Sequence, residues 1–131
     1  MEELTAEELT FLASMFDLAR AGDCVLGEYV DRGLPVDLTN SAGDTLLILA
    51  AYHQHDELVR ALVERGADHS RVNDRGQTAL AAAVFRRCRP AVQTLLAAGA
   101  HPALGPQSAI DIARFFELTE MLDLVNADGQ D

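Results

Sequence analysis

The chain has 131 residues, 49% of them hydrophobic and 5% aromatic, with a formal net charge of −11 and a sequence pI of about 4.6. Nonspecific binding to nucleic acid or to an anionic membrane requires a basic surface, so we expect neither kind of partner. The length suits one domain over residues 1–131. Ala and Leu make up much of the hydrophobic fraction and are strong helix formers, which favours an all-α fold.

The sequence predicts a cytoplasmic protein. The N-terminal residues M-E-E-L-T-A-E-E-L are acidic and lack the basic and apolar segments of a secretory leader. The longest apolar run, from Leu46 to Tyr52, is too short to span a bilayer. Two cysteines do not make a disulfide framework, and Cys24 and Cys88 fall in different repeat units, so we expect no bond between them and a reducing setting.

The first predicted helix begins with a capping box, in which Thr5 accepts from the amide of Glu8 and Glu8 reaches back. Gly22 and Asp23 break this helix, and Gly33 ends a second short one, because glycine adopts the left-handed conformation at no steric cost. The apolar positions with helical spacing are Leu9, Leu12, Met15, Phe16 and Ala19, then Val25, Leu26, Tyr29 and Val30. We interpret residues 1–39 as a degenerate repeat that caps the N-terminal end.

The next two segments are copies of each other. Seven residues between positions 40 and 66 recur 33 positions later, a period that is typical of stacked repeat arrays. The recurring pairs are Asn40 and Asn73, Gly43 and Gly76, Thr45 and Thr78, Leu47 and Leu80, Ala50 and Ala83, Val59 and Val92, and Gly66 and Gly99. These pairs define one repeat at 40–72 and another at 73–104.

Each copy is predicted to be a turn followed by two helices. In the first copy a helix covers Leu46 to Tyr52, the residues from His53 to Asp56 break it, and a second helix ends at Gly66. In the second copy the helices run from Thr78 to Phe85 and from Ala91 to Ala98. Pro90 stands where the later helix begins, a position at which the missing amide is not needed.

The last repeat, at 105–131, has a shorter turn. Ser108 follows Thr78 by 30 positions, so the connecting finger, Pro102 to Gln107, has lost three residues. One helix is expected around Ile112 and a final one around Met121 and Val125. This repeat is expected to cap the C-terminal end, and its polar tail, Asn126 to Asp131, is expected to fray.

The motif G-x-T-x-L-x-x-A-A at Gly43 to Ala51, with the second half from Leu58 to Asp68, resembles the ankyrin repeat family. The chain is most similar to small stand-alone members of bacterial type. The resemblance implies a solenoid of about four helix-turn-helix units with short β-turn-like fingers, which binds another protein through its concave face. Two departures stand out: Leu46 and Ala79 replace the family's proline, and Ile48 and Ala81 replace its histidine.

The resemblance also implies which residues face a partner, namely those beside the glycine of each turn and those at the end of each first helix. The positions also include Ser41, Ala42 and Asp74, and Gln107 in the repeat whose turn is shortened. The predicted contact residues are Arg20, Asp44, Tyr52, His53, Arg75, Gln77, Phe85, Arg86, Phe115 and Phe116.

Three of the seven aromatic residues, Tyr52, Phe85 and Phe115, occupy the same repeat position. At a helix-packing spacing of about 10 Å they would form an apolar stripe flanked by arginines at positions 20, 75 and 86. Aromatic and Arg residues are favoured anchors of interfaces. The alternative is that the rings only pack between repeats.

Other chemistry is not predicted. His53 and His55 are two apart, which would place them on different helix faces, and no spacing of His and Cys matches a metal site. We interpret Cys24 and Cys88 as packing residues. Arg86, Arg87 and Arg89 could dock a carboxylate or phosphate, but we favour the alternative that they form a solvated loop between helices. No catalytic or phosphate-binding motif is present, so neither an enzyme nor a cofactor is expected.

The sequence thus predicts a monomeric, non-enzymatic scaffold or adaptor for another protein. The alternative is a self-assembling structural module, because repeat stacks can continue end to end when a terminal face is apolar. Phe116 and Leu118 near the C-terminus would supply that face.

Overall fold

A computed structural model describes residues 4–129, and these form four helical hairpins stacked in chain order. We number the hairpins units one to four. The helices are α1 (Ala6–Ala21), α2 (Val25–Asp31), α3 (Leu46–Tyr52), α4 (Asp56–Glu64), α5 (Ala79–Phe85), α6 (Arg89–Ala97), α7 (Ala109–Phe115) and α8 (Thr119–Gly129). The odd-numbered helices contact one another in sequence and form one layer, and the even-numbered helices form the second. The all-α repeat architecture is therefore confirmed.

A hydroxyl side chain begins the first helix of each unit. Thr45, Thr78 and Ser108 accept a hydrogen bond from the backbone N–H three residues on, at 3.1, 3.1 and 3.2 Å. Thr5 does the same for Glu8 in unit one, where the predicted capping box is complete. These caps satisfy amides that a helix cannot pair internally, which explains why Thr recurs with the repeat period.

The core lies between the two layers and runs the length of the stack. Six of the seven residues of α3 are buried, as are six of the seven residues of α5, because each helix has neighbours on both sides. Ala50, Ala83 and Ala113 have no exposed surface. Alanine at this position lets neighbouring helices approach closely, and a larger side chain would overpack the interior.

The loop between the two helices of every unit contains one left-handed residue. These residues are Gly22, Gln54, Arg87 and Glu117, with φ of 74°, 65°, 58° and 54°. In each unit the amide of the next residue donates to a carbonyl five positions earlier, at 2.8–3.0 Å. Only unit one uses glycine, so the other three units carry the steric cost of a side chain in this conformation.

The turns that connect successive units, which we call fingers, are held in shape by hydrogen bonds to asparagine. The Oδ1 atom of Asn40 accepts from the amides of Ala42 and Asp44, both at 2.9 Å. Asn73 repeats this arrangement in unit three at 3.0 Å. Adjacent fingers are also joined along the stack, because the amide of Asp74 donates to Ala42 and that of Gln107 donates to Gly76.

Several details differ from the sequence predictions. Helix α6 begins at Arg89, two residues before the predicted start, with Pro90 inside its first turn. Helix α8 continues past Asn126 to Gly129, so the tail is helical there; residues 130–131 lie outside the described part. Leu118 is buried, because the left-handed turn at Glu117 directs it inward, and it cannot form the exposed end face expected for self-assembly.

Candidate functional site

The ends of the first helices carry a continuous row of aromatic rings, which we call the aromatic stripe: Tyr52, Phe85, Phe115 and Phe116. The rings of Tyr52 and Phe85 stack with centroids 6.2 Å apart and planes 10° apart. Phe116 meets Phe85 edge to face at 5.6 Å, and Phe115 meets Phe116 at 4.9 Å. Both distances lie in the range in which aromatic pairs attract each other.

This arrangement corrects the predicted stripe in two ways. The rings are closer than the helix spacing of about 10 Å because the side chains lean toward each other across it. The ring that contacts Phe85 is that of Phe116 and not that of Phe115. In units three and four the residue after the end of the first helix leans back over the previous unit, Arg86 over Tyr52 and Phe116 over Phe85.

The rings are packed against each other and also reach solvent. Tyr52 is half-buried, whereas Phe85, Phe116 and Phe115 are 37%, 47% and 80% exposed. The exposed fraction therefore rises toward the C-terminal end of the stripe. Packing between units and presentation to solvent, which the sequence left as alternatives, occur together in these side chains.

Two guanidinium groups lie over the Tyr52 ring. The Cζ atoms of Arg75 and Arg86 are 5.4 and 5.0 Å from its centroid, within the range of cation–π attraction. Arg75 is also 3.7 Å from a carboxylate oxygen of Asp44. These contacts hold two positive charges at the Tyr52 end of the stripe.

Asp44 itself is not a contact residue in this structure, which corrects the sequence prediction. It is 7% exposed, and its Oδ1 accepts a 2.8 Å hydrogen bond from Nδ2 of the buried Asn73. A carboxylate buried in this way requires such partners. Asp44 therefore ties the finger of unit two to that of unit three and positions Arg75.

His53 lies beside the stripe, edge to face with Tyr52 at 5.2 Å. Burial lowers its pKa below the usual 6.5, and the neighbouring His55, Arg86 and Arg20 lower it further, while Asp44 opposes them. The prediction that His53 and His55 occupy different helix faces is wrong. Both lie in the loop between α3 and α4, where their rings stack at 6.4 Å.

Arg20 and Gln77 flank the stripe differently. The side chain of Arg20 bonds to Asp17 at 3.0 Å within its own helix. Gln77 is half-buried in the finger of unit three, and its Oε1 atom is buried without a hydrogen-bond partner among residues 4–129. Arg20 remains exposed while paired, whereas Gln77 does not present its amide oxygen to solvent.

A groove of about 340 Å³ adjoins the exposed end of the stripe, and sequence reasoning missed it. It is lined by Pro106, Gln107, Asp111, Ile112, Phe115 and Phe116. The shortened finger of unit four, which the sequence did reveal, brings Pro106 next to Gly76 and so shapes one wall. Periodicity could not predict the groove, because this finger breaks the period.

The cysteines are free, and they differ from each other. Cys88 is buried as expected, whereas Cys24 is exposed, so its interpretation as a packing residue is wrong. Among residues 4–129 we find no group of three or more His, Cys, Asp or Glu side chains placed to hold a metal ion. In the same part of the chain, none of the helices is both long and apolar enough to cross a membrane.

Comparisons with known proteins agree with the repeat architecture. A family model described as "Ankyrin repeats (3 copies)" matches residues 15–104. A Pseudomonas aeruginosa protein named as an ankyrin repeat protein, PA3287, is 46% identical over 59 residues, which is 44% of this chain and 34% of that protein. The mouse protein named inactive serine/threonine-protein kinase TEX14 is 34% identical over 88 residues, 66% of this chain and 6% of that protein. The chain thus matches about a third or less of each relative's length.

Proposed function

This chain belongs to the ankyrin repeat family, and we propose that it is a non-enzymatic scaffold or adaptor that binds another protein through the aromatic stripe. Ankyrin repeats are generally protein–protein interaction modules. The proposed contact surface comprises the stripe with the neighbouring Arg75, Arg86 and His53. We propose that the chain acts as a monomer. Its two free cysteines support a reducing, cytoplasmic setting.

The observation that carries this proposal is the exposure of three phenylalanines that contact one another edge to face on one surface. The chain contains only five phenylalanines, and three of them form the exposed end of the stripe. Contiguous exposed apolar groups mark interaction surfaces. Arginine held over an aromatic ring adds the residue type that interfaces favour at their centre.

The test is capture of the native partner with purified wild-type and variant chains, followed by identification of what co-elutes. Phe85→Ala combined with Phe116→Ala should abolish capture while the far-UV circular dichroism stays helical. Phe11→Ala is the matched control, because Phe11 is 44% exposed on α1, away from the stripe. Equal capture by the double variant and the wild type would refute the proposed surface.

A second candidate is end-to-end self-association, and one observation favours it. Phe115 is 80% exposed at the last unit, where a fifth unit would cover it if the stack continued. The net charge of −11 opposes association of identical chains. Light scattering over a wide concentration range decides: a constant monomer mass removes this candidate, and mass growth that Phe115→Ala prevents supports it.

A further inference from the structure

Arg86 differs from every other arginine in the described part of the chain. Five arginines there pair with carboxylates within 4 Å, namely Arg20, Arg65, Arg71, Arg75 and Arg89. The arginines without such a partner among residues 4–129 are Arg32, Arg60, Arg86, Arg87 and Arg114. Of these, only Arg86 is half-buried, and the other four are exposed.

An unpaired guanidinium that is partly removed from water favours the binding of an anion. Burial weakens the hydration of the charge, and a carboxylate is the partner that matches its planar donors. The chain holds 21 acidic residues and 10 arginines, yet none of the described carboxylates lies within salt-bridge distance of Arg86. The Tyr52 ring fixes the group in place from one side, at 5.0 Å.

The groove at the other end of the stripe has the opposite character. Its walls include Pro106, Ile112, Phe115 and Phe116, which suit an aliphatic or aromatic side chain. Asp111 also lines it, so a second carboxylate there would be repelled. The charges therefore give the stripe a direction, from an anion site beside Tyr52 to an apolar site beside Phe116.

Building on the proposed function, we propose that the partner presents a short extended segment with an acidic residue and an apolar residue, the carboxylate bound by Arg86 and the apolar side chain in the groove. The two sites are separated by ring-to-ring steps of 6.2 and 5.6 Å. An extended chain covers about 3.3 Å per residue, so the two anchors are about three or four residues apart. The backbone between them lies along Phe85.

Nucleic acid fits this surface less well than an acidic peptide. Stacking on exposed rings would suit bases, but the phosphate backbone would meet a chain with a net charge of −11. Tracking that backbone needs a row of free basic groups, whereas Arg20 and Arg75 already have carboxylate partners. A single half-buried cation next to an apolar groove matches one carboxylate followed by one apolar side chain.

A displayed library of random 12-residue peptides, selected on the immobilised wild-type chain, tests this inference directly. We expect enriched peptides to carry Asp or Glu three or four positions from an aliphatic or aromatic residue, in one constant order. Enriched peptides that lose binding with Phe85→Ala but carry no acidic residue would overturn the inference and leave the proposed function standing. Enriched peptides that bind Phe85→Ala and Phe116→Ala as well as the wild type would overturn both.

A charge exchange tests the pairing of Arg86 with the acidic residue. Arg86→Glu should weaken an enriched synthetic peptide by about tenfold or more, and changing the acidic residue of the peptide to Arg should restore binding. Arg60→Glu is the matched control, because Arg60 is exposed on α4 and has no carboxylate partner within 4 Å among the described residues; it should change the affinity by less than about twofold. If the charge-exchanged peptide does not regain binding to Arg86→Glu while the helical content of this variant is intact, the pairing is refuted.

Discussion

The imidazole ring of His55 lies so close to Gly22 that a Cβ atom at Gly22 would be 2.5 Å from the ring. Nε2 of His55 donates to the carbonyl oxygen of Arg20 at 2.7 Å, and this hydrogen bond joins the loop of unit two to the end of α1. Gly22 also needs its positive φ of 74°, which glycine alone adopts at no steric cost. The joint between units one and two therefore depends on the absence of a side chain at position 22.

Gly22→Ala should destabilise the fold for both reasons. Backbone strain costs about 1–2 kcal/mol, and displacing the His55 ring costs about 1–3 kcal/mol more. Gly66→Ala is the control, because Gly66 has a φ of 86° and open space around its Cα. Urea unfolding of both variants separates the two contributions; equal losses would show that the His55 contact contributes nothing.

In units two and three the left-handed residue is not glycine, so replacing it by glycine should stabilise the fold. Gln54→Gly and Arg87→Gly should each stabilise the chain by about 0.5–1 kcal/mol, because relief of strain exceeds the added freedom of the unfolded chain. Gln93→Gly, at an exposed position in the middle of α6, should instead destabilise it by about 0.5–1 kcal/mol. Thermal unfolding midpoints of the three variants test this prediction. A lower midpoint for Gln54→Gly or Arg87→Gly would contradict the proposed backbone strain.

Asp44→Ala should cost about 1–3 kcal/mol of unfolding free energy, since it leaves Nδ2 of the buried Asn73 without its acceptor. It also frees Arg75 from its carboxylate partner. Asp74→Ala, at an exposed neighbouring position, should be close to neutral. Denaturant titration of the two variants makes the comparison, and a neutral Asp44→Ala would mean that the buried pair is dispensable.

His53 should make stability depend on pH. Its pKa is lowered in the folded chain by burial, His55, Arg86 and Arg20, so the unfolded chain takes up the proton first. The unfolding free energy is therefore highest above the unfolded pKa of about 6.5 and falls as pH drops through the lower folded pKa. Arg86→Gln should raise the pKa of His53 in an NMR titration, whereas Arg60→Gln should leave it unchanged. An unmoved His53 pKa in Arg86→Gln would exclude the coupling.

The local sequence alone determined the turns and helix ends within each unit. A hydroxyl before every first helix, an asparagine in the full-length fingers and glycine beyond the second helices recur because each satisfies backbone groups a few residues away. The boundaries of α3 follow from such signals, and the period of 33 residues follows from their repetition. The resemblance carried by Gly43 to Ala51 identified the family for the same reason.

The tertiary structure decided what happens between units. Whether Phe115 or Phe116 meets Phe85 and whether Asp44 faces solvent depend on how far side chains reach across neighbouring units. The sequence does not encode those distances at any single position. Where the fourth finger loses three residues, the register changes by that amount, and only the assembled stack shows that the change opens a groove beside Phe116.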